Sequence, residues 1–120
     1  MVTLKQLTAY AMRKSRPITK KPIRVVTENL PRTKKYNVQA RHYNNVYHPN
    51  DKSKPSRVVS HEIALDRKYY RSNQNNPNEL RQAVLHEICH CKHPNTHGEK
   101  FQRCARKIGA DKNHQKAYWD

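Results

Sequence analysis

Apolar residues recur at helical spacing in three stretches of the chain, with β-branched runs between the first and second. Within residues 3–14, Leu4, Leu7, Ala11 and Met12 fall on one helical face, and Thr3 is able to cap it. Arg16-Pro17 ends that helix, because the residue before a proline is pushed out of the α region. The β-branched run over 23–29 predicts a strand closed by Pro31. Two further short strands are expected, at about 36–47 (Tyr36, Val38, Tyr43, Val46, Tyr47) and at 57–65. The linker 48–55 is dense in turn residues and charge and reads as a mobile hairpin tip. A polar stretch over 71–76 then separates this β region from the C-terminal part of the chain.

Beyond it the helical signals sharpen. Asn76 as N-cap, Pro77 at the first position and Glu79 in the capping-box position open a helix running to about Cys91. Leu80, Val84, Ile88 and Cys91 form its apolar stripe, widened by Leu85 and Cys89. Thr96 with Glu99 repeats the capping-box pattern before a helix on which Phe101, Cys104, Ala105 and Ile108 share a face. Gly109 stands where a left-handed C-terminal cap belongs, and 110–120 form a polar tail. The expectation is an α+β fold in one domain over 1–120: an N-terminal helix, a small antiparallel sheet of about three strands, and a helix pair at about 76–109.

Composition changes this picture in two ways. Only 34% of the 120 residues are hydrophobic, so the core must be small. Lys and Arg number 25 against nine acids, a net +16, which draws the protein to polyanions through counterion release. The charge clusters early: Arg13, Lys14, Arg16, Lys20, Lys21, Arg32, Lys34 and Lys35 are the candidate nucleic-acid contacts. Tyr43, Tyr47, Tyr69 and Tyr70 lie among basic residues, where they could stack on unpaired bases. No run of about 18 apolar residues and no signal-peptide pattern is visible, so no membrane association is expected. Three cysteines, Cys89, Cys91 and Cys104, read as buried free thiols in a reducing, intracellular compartment. His42, His48, His61 and His114 read as surface residues.

The chemistry concentrates at His86-Glu87-Ile88-Cys89-His90. Imidazoles at i and i+4 lie about 40° apart on a helix and can grip one Zn²⁺, while the opposite stripe anchors the helix. Glu87 sits beside the first ligand, where its carboxylate can serve as general base towards a metal-activated water. A catalytic zinc needs a third protein ligand and one open position. His93 and His97 are both near; Pro94 disturbs the geometry at His93, and His97 is favoured, at the start of the next helix beside Gly98. The metzincin spacing does not fit, since His93 and Thr96 occupy its glycine and third-histidine positions. The Pro-Cys-x-x-Cys of zinc deaminases is missing too.

His86-Glu87-x-x-His90 followed by His97-Gly98-x-x-Phe101 resembles the SprT-like metalloprotease family, which includes the Spartan proteases of DNA–protein crosslink repair. The β segment ending His61-Glu62-Ile63-Ala64-Leu65 is similar to that family's small sheet before the zinc helix. The resemblance implies a zincin-like, minimal gluzincin-type fold holding one Zn²⁺ on His86, His90 and His97. It implies a zinc-dependent endopeptidase that cleaves proteins bound or crosslinked to DNA, with Glu87 as catalytic base. Compared with Spartan the loop between the zinc helices is short, and no Cys-x-x-Cys ribbon follows within these residues. The basic surface would then replace recruitment modules on DNA. A monomer, cytoplasmic or nucleoid-associated and of phage or plasmid origin, fits this reading. The alternative, from another class, is a nucleic-acid-binding protein whose zinc is only structural and which has no protease activity.

Overall fold

The computed structural model describes residues 1–31, 39–94 and 96–110. Helix α1 (Leu4–Lys14) starts where the sequence places it, and its cap is fuller than Thr3 alone suggests. Gln6 N–H donates to the Thr3 hydroxyl at 3.1 Å, and Thr3 N–H donates to the Gln6 side-chain oxygen at 2.9 Å. Leu7 and Ala11 enter the core.

Three strands follow, β1 (Ile23–Glu28), β2 (Ala40–Tyr47) and β3 (Arg57–Asp66), in the spatial order β1-β3-β2. The expected strand at about 36–47 is shorter in its described part, and residues 36–38 lie outside the described residues. The sheet is mixed rather than antiparallel: β2 runs antiparallel to β3, but β1 joins its other side in parallel. Alternating burial identifies the two faces of a strand, not its direction, so this could not be read from periodicity. The buried Asp66, at the end of β3, ties the connection between β1 and β2 at both ends. Its carboxylate accepts the Leu30 N–H at 3.1 Å, and its own N–H donates to the Gln39 carbonyl at 2.8 Å.

The same carboxylate caps a helix absent from the sequence expectation, α2 (Arg67–Ser72), by accepting the Tyr69 N–H at 3.3 Å. This short helix begins in residues 67–70, between the expected strand and the polar stretch, and ends within that stretch; it shows no apolar periodicity to betray it. Its tyrosines point inward: Tyr70 O–H donates to the Val2 carbonyl at 2.7 Å, and Tyr69 O–H donates to the Glu79 carboxylate at 2.8 Å. Both rings are half-buried and pack against the core.

The helices α3 (Pro77–His90) and α4 (Glu99–Ile108) complete the elements among the described residues. Both capping boxes expected for them are replaced. Glu79 is engaged by Tyr69, and Asn76 makes no side-chain cap bond. Gly98, not Thr96, is the N-cap of α4, and the Thr96 hydroxyl accepts the Gly98 N–H at 3.1 Å. Gly109 does close α4 in the left-handed region, at φ 86°.

Ile23, Val25, Ala40, Ile63 and Leu65 line the inner face of the sheet, on which α1 and α3 pack, and α4 lies against α3. The edge of β1 is blunted by α1: Val25 N–H donates to the Thr8 hydroxyl and Ile23 N–H to the Met12 sulfur, each at 3.1 Å. Asp66 thus joins three separate backbone segments. Replacing it with Ala removes charge-assisted bonds to buried donors and is expected to cost roughly 2–4 kcal/mol. Asp66→Asn is expected to cost less, and denaturant midpoints of the two variants measure the difference.

Candidate metal centre

Helix α3 is buried along most of its length: Ala83, Val84, Leu85, His86, Glu87, Ile88 and Cys89 all lie in the interior. The apolar members face the sheet and α1, and the turn between His86 and His90 directs both imidazoles towards the start of α4. His97 reaches them from the segment preceding α4. The Nε2 of His97 lies 3.2 Å from the Nε2 of His86 and 3.2 Å from the Nε2 of His90. Three nitrogens bound to one tetrahedral ion at about 2.05 Å would stand about 3.3 Å apart. The donor set therefore fits a metal ion of this class, and the three side chains could hold one.

Their orientation is built from the other side of each ring. His90 Nδ1 lies 3.1 Å from the His93 carbonyl, a contact that places the proton on Nδ1 and turns Nε2 towards the cluster. His93 thus serves through its backbone, and its ring does not join the three. The His97 carbonyl accepts a bond from the Gln102 side chain at 3.1 Å, which holds that residue to the first turn of α4. A Cβ at Gly98 would stand 3.2 Å from the Thr96 hydroxyl, a tight contact that a small shift of that side chain would have to relieve. Phe101 is fully buried beneath all three rings, with centroid distances of 5.1 Å to His86, 4.7 Å to His90 and 5.0 Å to His97. Its sequence position indicated helix packing; its role as the shared floor of the cluster appears only in three dimensions.

Burial holds His90 and His97 below the usual imidazole range, so both remain neutral donors. Burial acts on Glu87 in the opposite direction and pushes its carboxyl up to about 8, partly offset by the Arg41 guanidinium. The Glu87 carboxyl is thus buried in the same turn of α3 that carries His86 and His90.

The cysteines differ from expectation. Cys89 and Cys104 form a disulfide that staples α3 to α4, their Cα atoms 5.9 Å apart, while Cys91 is a free, half-buried thiol. The free-thiol reading failed because helix pairing, which sets Cys89 against Cys104, is invisible in a count of three. His61 is buried and His42 half-buried, so neither is the surface residue expected; His48 is exposed, and His114 lies outside the described residues.

Of the basic residues singled out, Arg13 and Lys14 end α1, Arg16 is exposed after it, and Lys20 and Lys21 are exposed before β1. Arg32, Lys34 and Lys35 lie outside the described residues. Sequence reading missed Tyr10 and Arg81. Arg13 and Arg81 stand over the Tyr10 ring at 5.5 and 5.4 Å, beside a cleft of about 530 Å³ between α1 and the start of α3. Two arginines contributed by separate helices could have been joined only through the fold.

No curated protein and no solved structure matches the chain. A family profile described as the SprT-like family matches residues 15–118, a span that contains the whole sheet and the histidine cluster on α3 and α4. With most of its 120 residues covered, the chain belongs to the SprT-like family and carries a metalloprotease-type domain.

Proposed function

We propose that the protein is a zinc-dependent endopeptidase that cleaves proteins held on or crosslinked to DNA. The observation that carries this reading is the convergence of His86, His90 and His97 within 3.2 Å contacts beside the buried Glu87. Among the described residues no fourth ligand side chain joins these three, which suits an open, catalytic coordination position better than a closed structural one. When bound, zinc would supply Lewis acidity, making a water nucleophilic near neutral pH and polarising the scissile carbonyl.

The chain's own residues supply the rest. Glu87, ionised despite its burial by the charge of a bound divalent cation, would take the proton of the attacking water on its carboxylate and return it to the nitrogen of the leaving peptide. The His93 carbonyl holds His90 in one tautomer, so its Nε2 lone pair stays directed at the site. Phe101 closes the underside of the cluster to water. Arg13, Arg16, Lys20 and Lys21, with Arg81 beside Tyr10, offer the positive surface that would bring this centre to DNA. Selectivity then comes from shared residence on the polyanion, and a shallow peptide cleft suffices.

Glu87→Gln is expected to lower cleavage of a DNA-bound protein roughly 10²–10⁴-fold while metal content by mass spectrometry stays unchanged. Cutting at the wild-type rate would remove Glu87 from the mechanism, and with it the enzyme reading. Separately, a double replacement of Arg16 and Lys20 by Ala is expected to weaken DNA binding at all sequences. It should also flatten the dependence of log K on log [salt] by about 0.9 per lost phosphate contact. An unaltered slope places the DNA contacts elsewhere.

A further inference from the structure

A second group of ligand-type side chains lies on the sheet side of α3 and shares no member with the three histidines. The β2–β3 register pairs His42 with Ile63 and Asn44 with His61, so His42 and His61 are diagonal neighbours on the face covered by α3. Their rings are 5.1 Å apart, and His42 Nε2 lies 2.9 Å from His61 Nδ1. Cys91, the C-cap of α3, brings its thiol to the same place, and the donor atoms of all three lie within 4.8 Å of one another. We propose that His42, His61 and Cys91 form a second metal site, for a thiophilic divalent ion of the zinc class.

The donor chemistry selects the ion. One thiolate and two imidazoles favour zinc-like ions, whereas magnesium and calcium take oxygen ligands. A tetrahedral ion at ordinary zinc distances would set the two nitrogens about 3.3 Å apart and each nitrogen about 3.6 Å from sulfur. The donor atoms already lie within 4.8 Å of one another, and the two imidazole nitrogens at 2.9 Å, close to that spacing. His61 Nδ1 faces both His42 Nε2 and, at 3.1 Å, the Asn44 side-chain oxygen. To bind the ion His61 would carry its one proton on Nε2, which leaves the Nδ1 lone pair beside that of His42 Nε2. Asn44 Oδ1 then offers an oxygen close to the fourth position. Binding would displace the Cys91 proton to solvent and leave a thiolate on the ion.

The site would fasten the C-terminal end of α3 to β2 and β3. Since Cys91 follows His90 directly, the two ions would sit on consecutive residues of one helix end, directed to different sides by the helical turn. The second site does not depend on the first being catalytic.

Titration of the metal-free, full-length protein with Co²⁺, disulfide intact, tests this. Two ions per chain are expected, with a thiolate-to-cobalt charge-transfer band in the near ultraviolet. Only the second site contains sulfur, so the band reports that site alone. Cys91→Ser is expected to lose the band and one ion. His97→Ala is expected to lose one ion and keep the band. His42→Asn is expected to weaken the band's Co²⁺ affinity at least tenfold, and it covers the case in which Cys91→Ser does not fold. Absence of the band from the wild type, or a band that survives Cys91→Ser, overturns the proposal. A band unaffected by His97→Ala with no change in ion count would instead remove the first site and leave this one standing.

Discussion

A thin core has to hold His86 and Glu87 in the middle of its most buried helix, and much of the structure can be understood from that demand. Placing an imidazole and a carboxyl in the interior is unfavourable unless their polar atoms find partners. His86 meets His97 and His90 at one point, and Phe101 carries the rings from below. That convergence requires α4 to begin within reach of α3, which the short turn after His90 and the Cys89–Cys104 bridge both enforce. On its other side, α3 must be held by something rigid. The sheet and α1 provide this through Leu80, Val84 and Ile88, all fully buried.

Rigidity of the sheet in turn rests on Asp66. A three-stranded sheet with a parallel edge needs its chain carried across the end of the central strand, and such a crossing exposes backbone donors and acceptors to a small core. One carboxylate and one amide at residue 66 satisfy Leu30, Tyr69 and Gln39 together. The first strand, crossing segment, central strand and α2 are thereby coupled at one residue. Because β3 also presents His61 to the C-cap of α3, this coupling reaches the helix end that carries His90.

How much was legible in the sequence depends on how local each determinant is. The His86, Glu87 and His90 grouping needs only helical periodicity, and α1, α3 and the Gly109 cap need only neighbouring residues, so these were readable. His97 needed one loop of geometry and was still within reach. The direction of β1 was not, because it depends on a crossing anchored 36 residues away at Asp66. The capping boxes at Asn76 and Thr96 were locally sound but lost to tertiary partners: Tyr69 claims Glu79, and Gly98 moves the start of α4. His42 and His61 read as surface residues because their burial is set by β2–β3 register and by the arrival of Cys91 from α3. The same non-local pairing hid the disulfide.

The distribution of acids joins this interior to the surface charge. Asp66 and Glu87 are buried, Glu79 is bound to Tyr69, Glu28 accepts from Tyr43, and Asp51 shapes its own turn with Ser53. Most acids among the described residues thus have internal or local work, and few are left to neutralise lysines and arginines. The positive excess is then more than compositional, since most lysines and arginines among the described residues are exposed with little screening by the protein itself. Glu87 owes its raised pKa to burial alone, and the Arg41 guanidinium opposes that shift. Drawing carboxyls into the interior and into local bonds thus leaves the exposed cations uncompensated, so the positive surface and the buried acid belong to one allocation of charge.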